Sequence, residues 1–362
     1  MEYQHGGDIY TNQVTMDYSA NINPLGLPAG VRKALLQAVE SCFCYPDSRC
    51  GKLRKELSLF HEVSEKHIIC GNGAADLIFQ IVQAIRPGRA LLIAPSFLEY
   101  EQALETVSAD ILWYDLKEED GFSLSVHQLI EWLKSEDHRV EMLFLCNPNN
   151  PTGYTLGKEE MKTLLDFCKT MGIYCVIDEC FNEFLDDPND YSVLELISQG
   201  GYEQVFILKA FTKIYAMAGL RLGYGITTGE ETLEKMNCIR QPWSVSSLAQ
   251  AAGEAALKET EYVNETRKLI AAEREYLKKN LTELGFKVYD SKANYLFFKD
   301  LRESALSGET LLYKELLDQQ VLIRSCSNYR GLNGTHYRIC VKQRQENDAF
   351  LAVLKSILIE GE

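Results

Sequence analysis

A chain of 362 residues with 46% hydrophobic and 25% charged residues has the balance of an ordinary globular protein and exceeds the size of one average core. Its formal net charge of −15 excludes a general binder of nucleic acid or anionic membrane, so any anionic ligand must meet a local basic pocket. No apolar run approaches the ~20 residues that span a bilayer, and no basic start leads into an apolar leader, which makes the cytoplasm the expected location.

In chain order, the first 40 residues read as an arm containing Asn23-Pro24-Leu25-Gly26, followed by a short helix. Short apolar runs then recur at residues 67–70, 90–94, 142–146, 174–177 and 205–208, separated by segments of helical period. Strands that are apolar on both faces and alternate with helices predict an α/β fold with a mostly parallel, doubly covered sheet. From about residue 231 the texture changes to charged helical segments, notably 259–284. Strands are predicted at 286–289, 295–298 and 337–341, with a closing helix over 346–359. The expected organisation is an arm and short helix over 1–40 packing with the small domain, a large domain over 41–255 and a small α+β domain over 256–362. Eleven cysteines are scattered without a C-x-x-C pair or a matching histidine cluster, which predicts buried thiols in a reducing compartment and no metal.

Four stretches carry chemistry. Gly71-Asn72-Gly73-Ala74-Ala75-Asp76 joins a strand to an apolar helix, and small residues there expose backbone N–H groups to an anion. The same stretch begins a dinucleotide fingerprint, but Asp76 occupies the third glycine position, which argues against NAD. Asn147-Pro148-Asn149-Asn150-Pro151-Thr152-Gly153 is a strand-end turn in which Asn150 can donate to a phenolate oxygen. Asp178 ends a buried strand, where a carboxylate needs a partner such as a protonated ring nitrogen, a helix cap or an internal ion pair. Lys213 follows another buried strand, where desolvation and neighbouring cations can lower an amine's pKa enough to let it condense with an aldehyde. Arg221, eight residues on, offers a fork suited to phosphate.

In this order and spacing, the four stretches resemble the fold-type I pyridoxal-phosphate (PLP) enzymes, the aspartate-aminotransferase fold, over nearly the whole chain. The resemblance implies a seven-stranded sheet, PLP as cofactor and a homodimer with shared sites. It makes Lys213 the lysine that carries the cofactor, Asp178 the partner of its ring nitrogen and Asn150 the donor to its phenolic oxygen. Thr212, Arg221 and the backbone at Gly73, Ala74 and Ala75 match the phosphate cradle, and Phe97 matches the stacking aromatic. Tyr45 matches a tyrosine that reaches the neighbouring subunit's cofactor.

Two branches of that superfamily compete. One is histidinol-phosphate aminotransferase; the other is L-threonine-O-3-phosphate decarboxylase of cobalamin synthesis. His5-Gly6-Gly7, the segment 19–26, Gln241-Pro242-Trp243 and the segment 322–329 look more like the decarboxylases, as does Phe181. Ala210, Ala218 and Asp8 depart from the pattern, Ala210 by removing a hydroxyl that commonly helps hold the cofactor phosphate. Either branch implies a small phosphorylated substrate, with His5, Asn23, Arg324 and Arg338 as the residues that would grip it.

Overall fold

The computed structural model describes residues 5–135, 139–303, 305 and 310–360. The arm contributes a two-residue strand, β1 (Met16–Asp17), before helices α1 (Ala29–Ala38) and α2 (Gly51–His61). Then β2 (Ile68–Gly71), α3 (Ala74–Ile85), β3 (Arg89–Ala94), α4 (Glu99–Glu105) and β4 (Asp110–Asp115) follow. The alternation continues through α5 (Val126–Ser135), β5 (Met142–Cys146), α6 (Lys158–Met171), β6 (Tyr174–Asp178), α7 (Leu194–Ser198) and β7 (Val205–Ala210). A single helical turn, α8 (Phe211–Ile214), leads to β8 (Gly223–Ile226), α9 (Glu230–Ile239) and α10 (Ser247–Ala256).

These strands form one seven-stranded sheet in the order β2-β8-β7-β6-β5-β3-β4, parallel except at β8, which runs antiparallel to both neighbours. The central strands are mostly apolar because both faces are covered: Leu143 and Leu145 of β5 enter one core, Met142 and Phe144 the other. Every parallel strand points the same way, so Ala94, Cys146, Asp178 and Ala210 finish along one edge, where such sheets place their ligands.

The long helix α11 (Thr260–Glu283) leads to a second sheet. It is built from β9 (Lys287–Val288) and β10 (Tyr295–Lys299), and, after α12 (Leu311–Asp318) and β11 (Val321–Leu322), from β12 (Arg324–Ser325) and β13 (His336–Cys340). Helix α13 (Arg344–Glu360) closes the described chain. The four-stranded order is β12-β13-β10-β9, all antiparallel, while β11 pairs in parallel with β1 of the arm. A boundary proposed near residue 255 falls at the end of α10. Helix α1 packs on α10, so the arm is held from both sides. The two sheets are tied by Glu118, which follows β4 and takes Lys299 at 2.9 Å, Lys287 at 3.0 Å and the Tyr289 hydroxyl at 2.8 Å.

The position of β8 fixes the start of α3. A Cβ on Gly223 would lie 2.5 Å from the Ala74 amide nitrogen, so only glycine lets the strand approach the helix this closely. Gly223→Ala is expected to cost ~1–3 kcal/mol, as overpacking does, and to push the first turn of α3 out of place. A lowered denaturant midpoint measures the first effect and faster loss of cofactor on dialysis the second.

Candidate active site

The edge of the large sheet, the arm and the second sheet enclose a cavity of about 240 Å³. At its floor, Asp178 is 5% exposed and both of its oxygens are engaged. Oδ2 accepts from the Tyr100 hydroxyl at 2.6 Å and Oδ1 from the Cys180 amide at 2.9 Å. Tyr100 comes from α4 and stacks on Phe144 of β5 with centroids 4.8 Å apart, so two elements fix the donor. Burial and the adjacent Asp178 raise the Tyr100 phenol and the Cys180 thiol well above their usual ranges, which keeps both protonated.

Lys213 sits on the single turn after β7, one residue past Thr212, and both line the cavity. Its carbonyl accepts from the Asn23 amide at 3.1 Å, which ties the turn to the arm. Burial, with Arg338 and Arg221 adding repulsion, lowers the Lys213 amine to about 8, so a substantial neutral fraction exists near physiological pH.

Beside it, Ala74 and Ala75 open α3, and Arg221 adopts a left-handed backbone (φ 56°) with Nη1 donating to the Ala218 carbonyl at 3.1 Å. Gly73 supports this cradle rather than lining it. A Cβ there would stand 2.6 Å from Arg221 Nη2, so glycine admits the guanidinium to the first turn of the helix. Helix-start N–H groups together with a guanidinium suit a phosphate. Ala210 and Phe97 also line the cavity, Phe97 meeting Tyr100 edge to face. Asn150 accepts from Arg338 through Oδ1, which turns its Nδ2 donor toward other acceptors. A phosphate cradle, an anchored buried carboxylate, an amide donor and a depressed lysine match the phosphate, ring nitrogen, phenolic oxygen and aldehyde of PLP. These residues fit the cofactor.

At the opposite end Arg324 of β12 and Arg338 of β13 are direct partners across the ladder, 5% and 6% exposed. Arg338 Nη2 donates to the Ser19 carbonyl at 2.7 Å, and Arg324 Nη1 donates to the Ser325 carbonyl at 2.7 Å. His5 lines the same end. Asn23 does not: its Nδ2 is spent on the Ile214 carbonyl and Thr266 Oγ1, both at 2.7 Å, and its Oδ1 on the Leu25 amide. It pins the arm, and Asn21, two residues earlier, lines the cavity with both side-chain polar atoms buried and without hydrogen-bond partners. Tyr45 lies outside the cavity, 81% exposed and stacked on Trp243 at 4.7 Å. Sequence reasoning missed Tyr100, Asn21 and Glu99. Glu99 and Tyr100 lie within two and three residues of Phe97, but nothing in the local pattern announces that Glu99 lines the cavity or that Tyr100 reaches Asp178.

The family model described as aminotransferase class I and II matches residues 13–354. The chain is 33% identical over 363 residues to the threonine-phosphate decarboxylase of Salmonella typhimurium, covering 98% of this chain and 96% of that protein. It is 30% identical to a histidinol-phosphate aminotransferase of Moorella thermoacetica, covering 94% and 84% respectively. Among solved structures, the histidinol-phosphate aminotransferase of Clostridium acetobutylicum superposes with a TM-score of 0.86 at 30% identity, over 95% of this chain and 99% of that one.

Because only the neutral amine attacks an aldehyde, cofactor capture by apoenzyme should accelerate about tenfold per pH unit up to pH 8 and then level off. An ordinary lysine would keep accelerating past pH 10. The visible absorbance that survives gel filtration follows this, and Lys213→Ala should give none of it.

Proposed function

The chain belongs to the class I and II aminotransferase family, and on that premise we propose that it decarboxylates O-phospho-L-threonine to (R)-1-amino-2-propanol O-2-phosphate, a step of cobalamin biosynthesis. The chain is a PLP enzyme. The observation that carries the finer reading is the pairing of Arg324 with Arg338. Two buried cations directly opposite on antiparallel strands repel, and their hydrogen-bond partners Asn150, Asn328 and backbone carbonyls are neutral. Such a pair favours a short substrate carrying two anions. A phosphorylated β-hydroxy amino acid has a phosphate and a carboxylate a few bonds apart; histidinol phosphate has one anionic group, and of an aminotransferase's two substrates only the keto acid carries two. The similarity to the Salmonella decarboxylase over almost all of both chains supports the same reading.

In this reading Thr212, Arg221, Ala74 and Ala75 hold the cofactor phosphate, Asp178 pairs with its ring nitrogen, Asn150 donates to its phenolic oxygen, and Phe97 stacks on the ring. PLP, when bound, supplies an electron sink for the carbon that loses CO₂. Arg324 and Arg338 grip the two anionic groups and thereby decide which bond at Cα is presented for cleavage. Lys213 Nζ, poised near neutrality, can return a proton to that carbon after CO₂ leaves. His5 and the segment 19–21 line the site from the arm. The exposed apolar side chains Leu36, Val39, Phe43, Tyr45, Phe60 and Trp243 support a homodimer in which Tyr45 reaches the partner's site. No described helix is long and apolar enough to cross a membrane, and we assign the enzyme to the cytoplasm.

Purified enzyme given O-phospho-L-threonine without any keto acid should release CO₂ and aminopropanol phosphate in equal amounts. No CO₂, with glutamate formed from histidinol phosphate and 2-oxoglutarate, would instead establish the aminotransferase. Arg324→Lys and Arg338→Lys should each weaken substrate binding by roughly tenfold or more, because a charge-assisted fork is worth about 1.5–3 kcal/mol. Steady-state KM and kcat measure this.

A further inference from the structure

Glu99, the first residue of α4, has no role in the chemistry above, yet its side chain lines the same cavity as Arg324. Its Oε1 lies 3.4 Å from His5 Nδ1 on the arm. Its Oε2 is buried and has no hydrogen-bond partner. Buried polar atoms without partners are rare in folded proteins, and one on a side chain that lines a cavity points to a ligand.

The groups that act on Glu99 come from five segments, one of them the stretch after β12 that brings the Tyr329 phenol. His5 approaches from the arm, Lys213 from the turn after β7, Arg324 from β12 and Asp178 from the end of β6. Burial pushes the Glu99 carboxyl up to about 7; its own backbone amide, Lys213 and Arg324 oppose that rise, and Asp178 adds to it. Burial and the neighbouring Arg324 lower the His5 imidazole, so at neutral pH it meets Glu99 largely uncharged.

We propose that the Glu99 carboxyl group shares one proton with a phosphoryl oxygen of the substrate, making Glu99 the residue that admits a phosphate monoester to the cavity. This rests on the reading of the site as one for a phosphorylated amino acid. An ionised carboxyl beside a phosphate dianion would repel it, whereas a protonated one donates to it. The second pKa of a phosphate monoester is about 6, close to that of the buried carboxyl, so the proton can reside on either oxygen in a short charge-assisted bond. His5 orients the carboxyl through Oε1, and Arg324 neutralises charge on the phosphoryl group. Above pH 7 binding must therefore take up one proton, and affinity must fall about tenfold per pH unit.

The test is calorimetric titration of the holoenzyme with propyl phosphate and propyl sulfate at pH 8, in two buffers of different ionisation enthalpy. Propyl sulfate cannot itself be protonated, so any proton taken up with it resides on the protein. The unmutated enzyme should take up close to one proton with either probe and lose affinity by roughly 50-fold between pH 7 and 9. Glu99→Gln, which donates without titrating, should take up none and bind equally across that range, while His5→Gln should retain the uptake. The proposal is overturned if Glu99→Gln still takes up a proton with propyl sulfate, if uptake is lost only in His5→Gln, or if the unmutated enzyme binds neither probe. A pH-independent affinity of the unmutated enzyme for propyl sulfate overturns it without any variant. Failure of the decarboxylase reading shows itself separately, as normal proton-linked binding with no CO₂ from O-phospho-L-threonine.

Discussion

The buried carboxylate of Asp178 is the constraint around which the site is built. A carboxyl group at the end of a strand covered on both faces loses its water, and this loss must be offset by donors with fixed geometry. Tyr100 and the Cys180 amide provide two, and each is itself held: Tyr100 by its stack on Phe144, the amide by the turn that leaves β6. Parallel strands place the neighbouring groups without further cost. Because β5, β6 and β7 end at the same level, Asn150, Asp178 and Lys213 meet although they are far apart in the chain. The net charge of −15 is reversed locally, with Lys213, Arg221, Arg324 and Arg338 facing one cavity.

The second sheet and the arm supply what the large sheet cannot. Arg324 and Arg338 owe their opposition to the β12–β13 register, and Arg338 is aimed by Asn150 from the first sheet and by Ser19 from the arm. The arm is fixed in turn by pairing of β1 with β11 and by Asn23 bound to the turn that carries Lys213. Lys213, Arg324, Arg338 and the arm therefore form one connected set. A change in any of them is felt at the others through hydrogen bonds, which in the proposed reading links cofactor chemistry to substrate grip.

Five of the seven strands of the large sheet were legible as short apolar runs, because a strand buried on both faces is apolar along most of its length. The two that were not are instructive. β4 is an edge strand, exposed at Asp110 and Asp115 and half-buried between, so it lacks the signature run. β8 is Gly-Tyr-Gly-Ile, and its glycines serve close packing at the expense of strand propensity. β12 was hidden because its first residue is a buried arginine. In the site, Asn150, Asp178, Lys213 and Arg221, singled out at strand ends and turns, come to line one cavity. Asn23 and Asn21 were not distinguishable, because both belong to one polar stretch and only the fold decides which faces inward. Glu99 and Tyr100 acquire their roles from long-range packing against Asp178 and His5, which no local pattern encodes.

The central claim is that Asp178, held by Tyr100, keeps the ring nitrogen of bound PLP protonated. Nitrogen-15 NMR of enzyme loaded with ring-labelled PLP reads that proton directly. The account predicts a protonated ring nitrogen in the unmutated enzyme from pH 6 to 9 and an unprotonated one in Asp178→Asn. An unprotonated nitrogen in the unmutated enzyme, or a protonation state indifferent to the substitution, would contradict it.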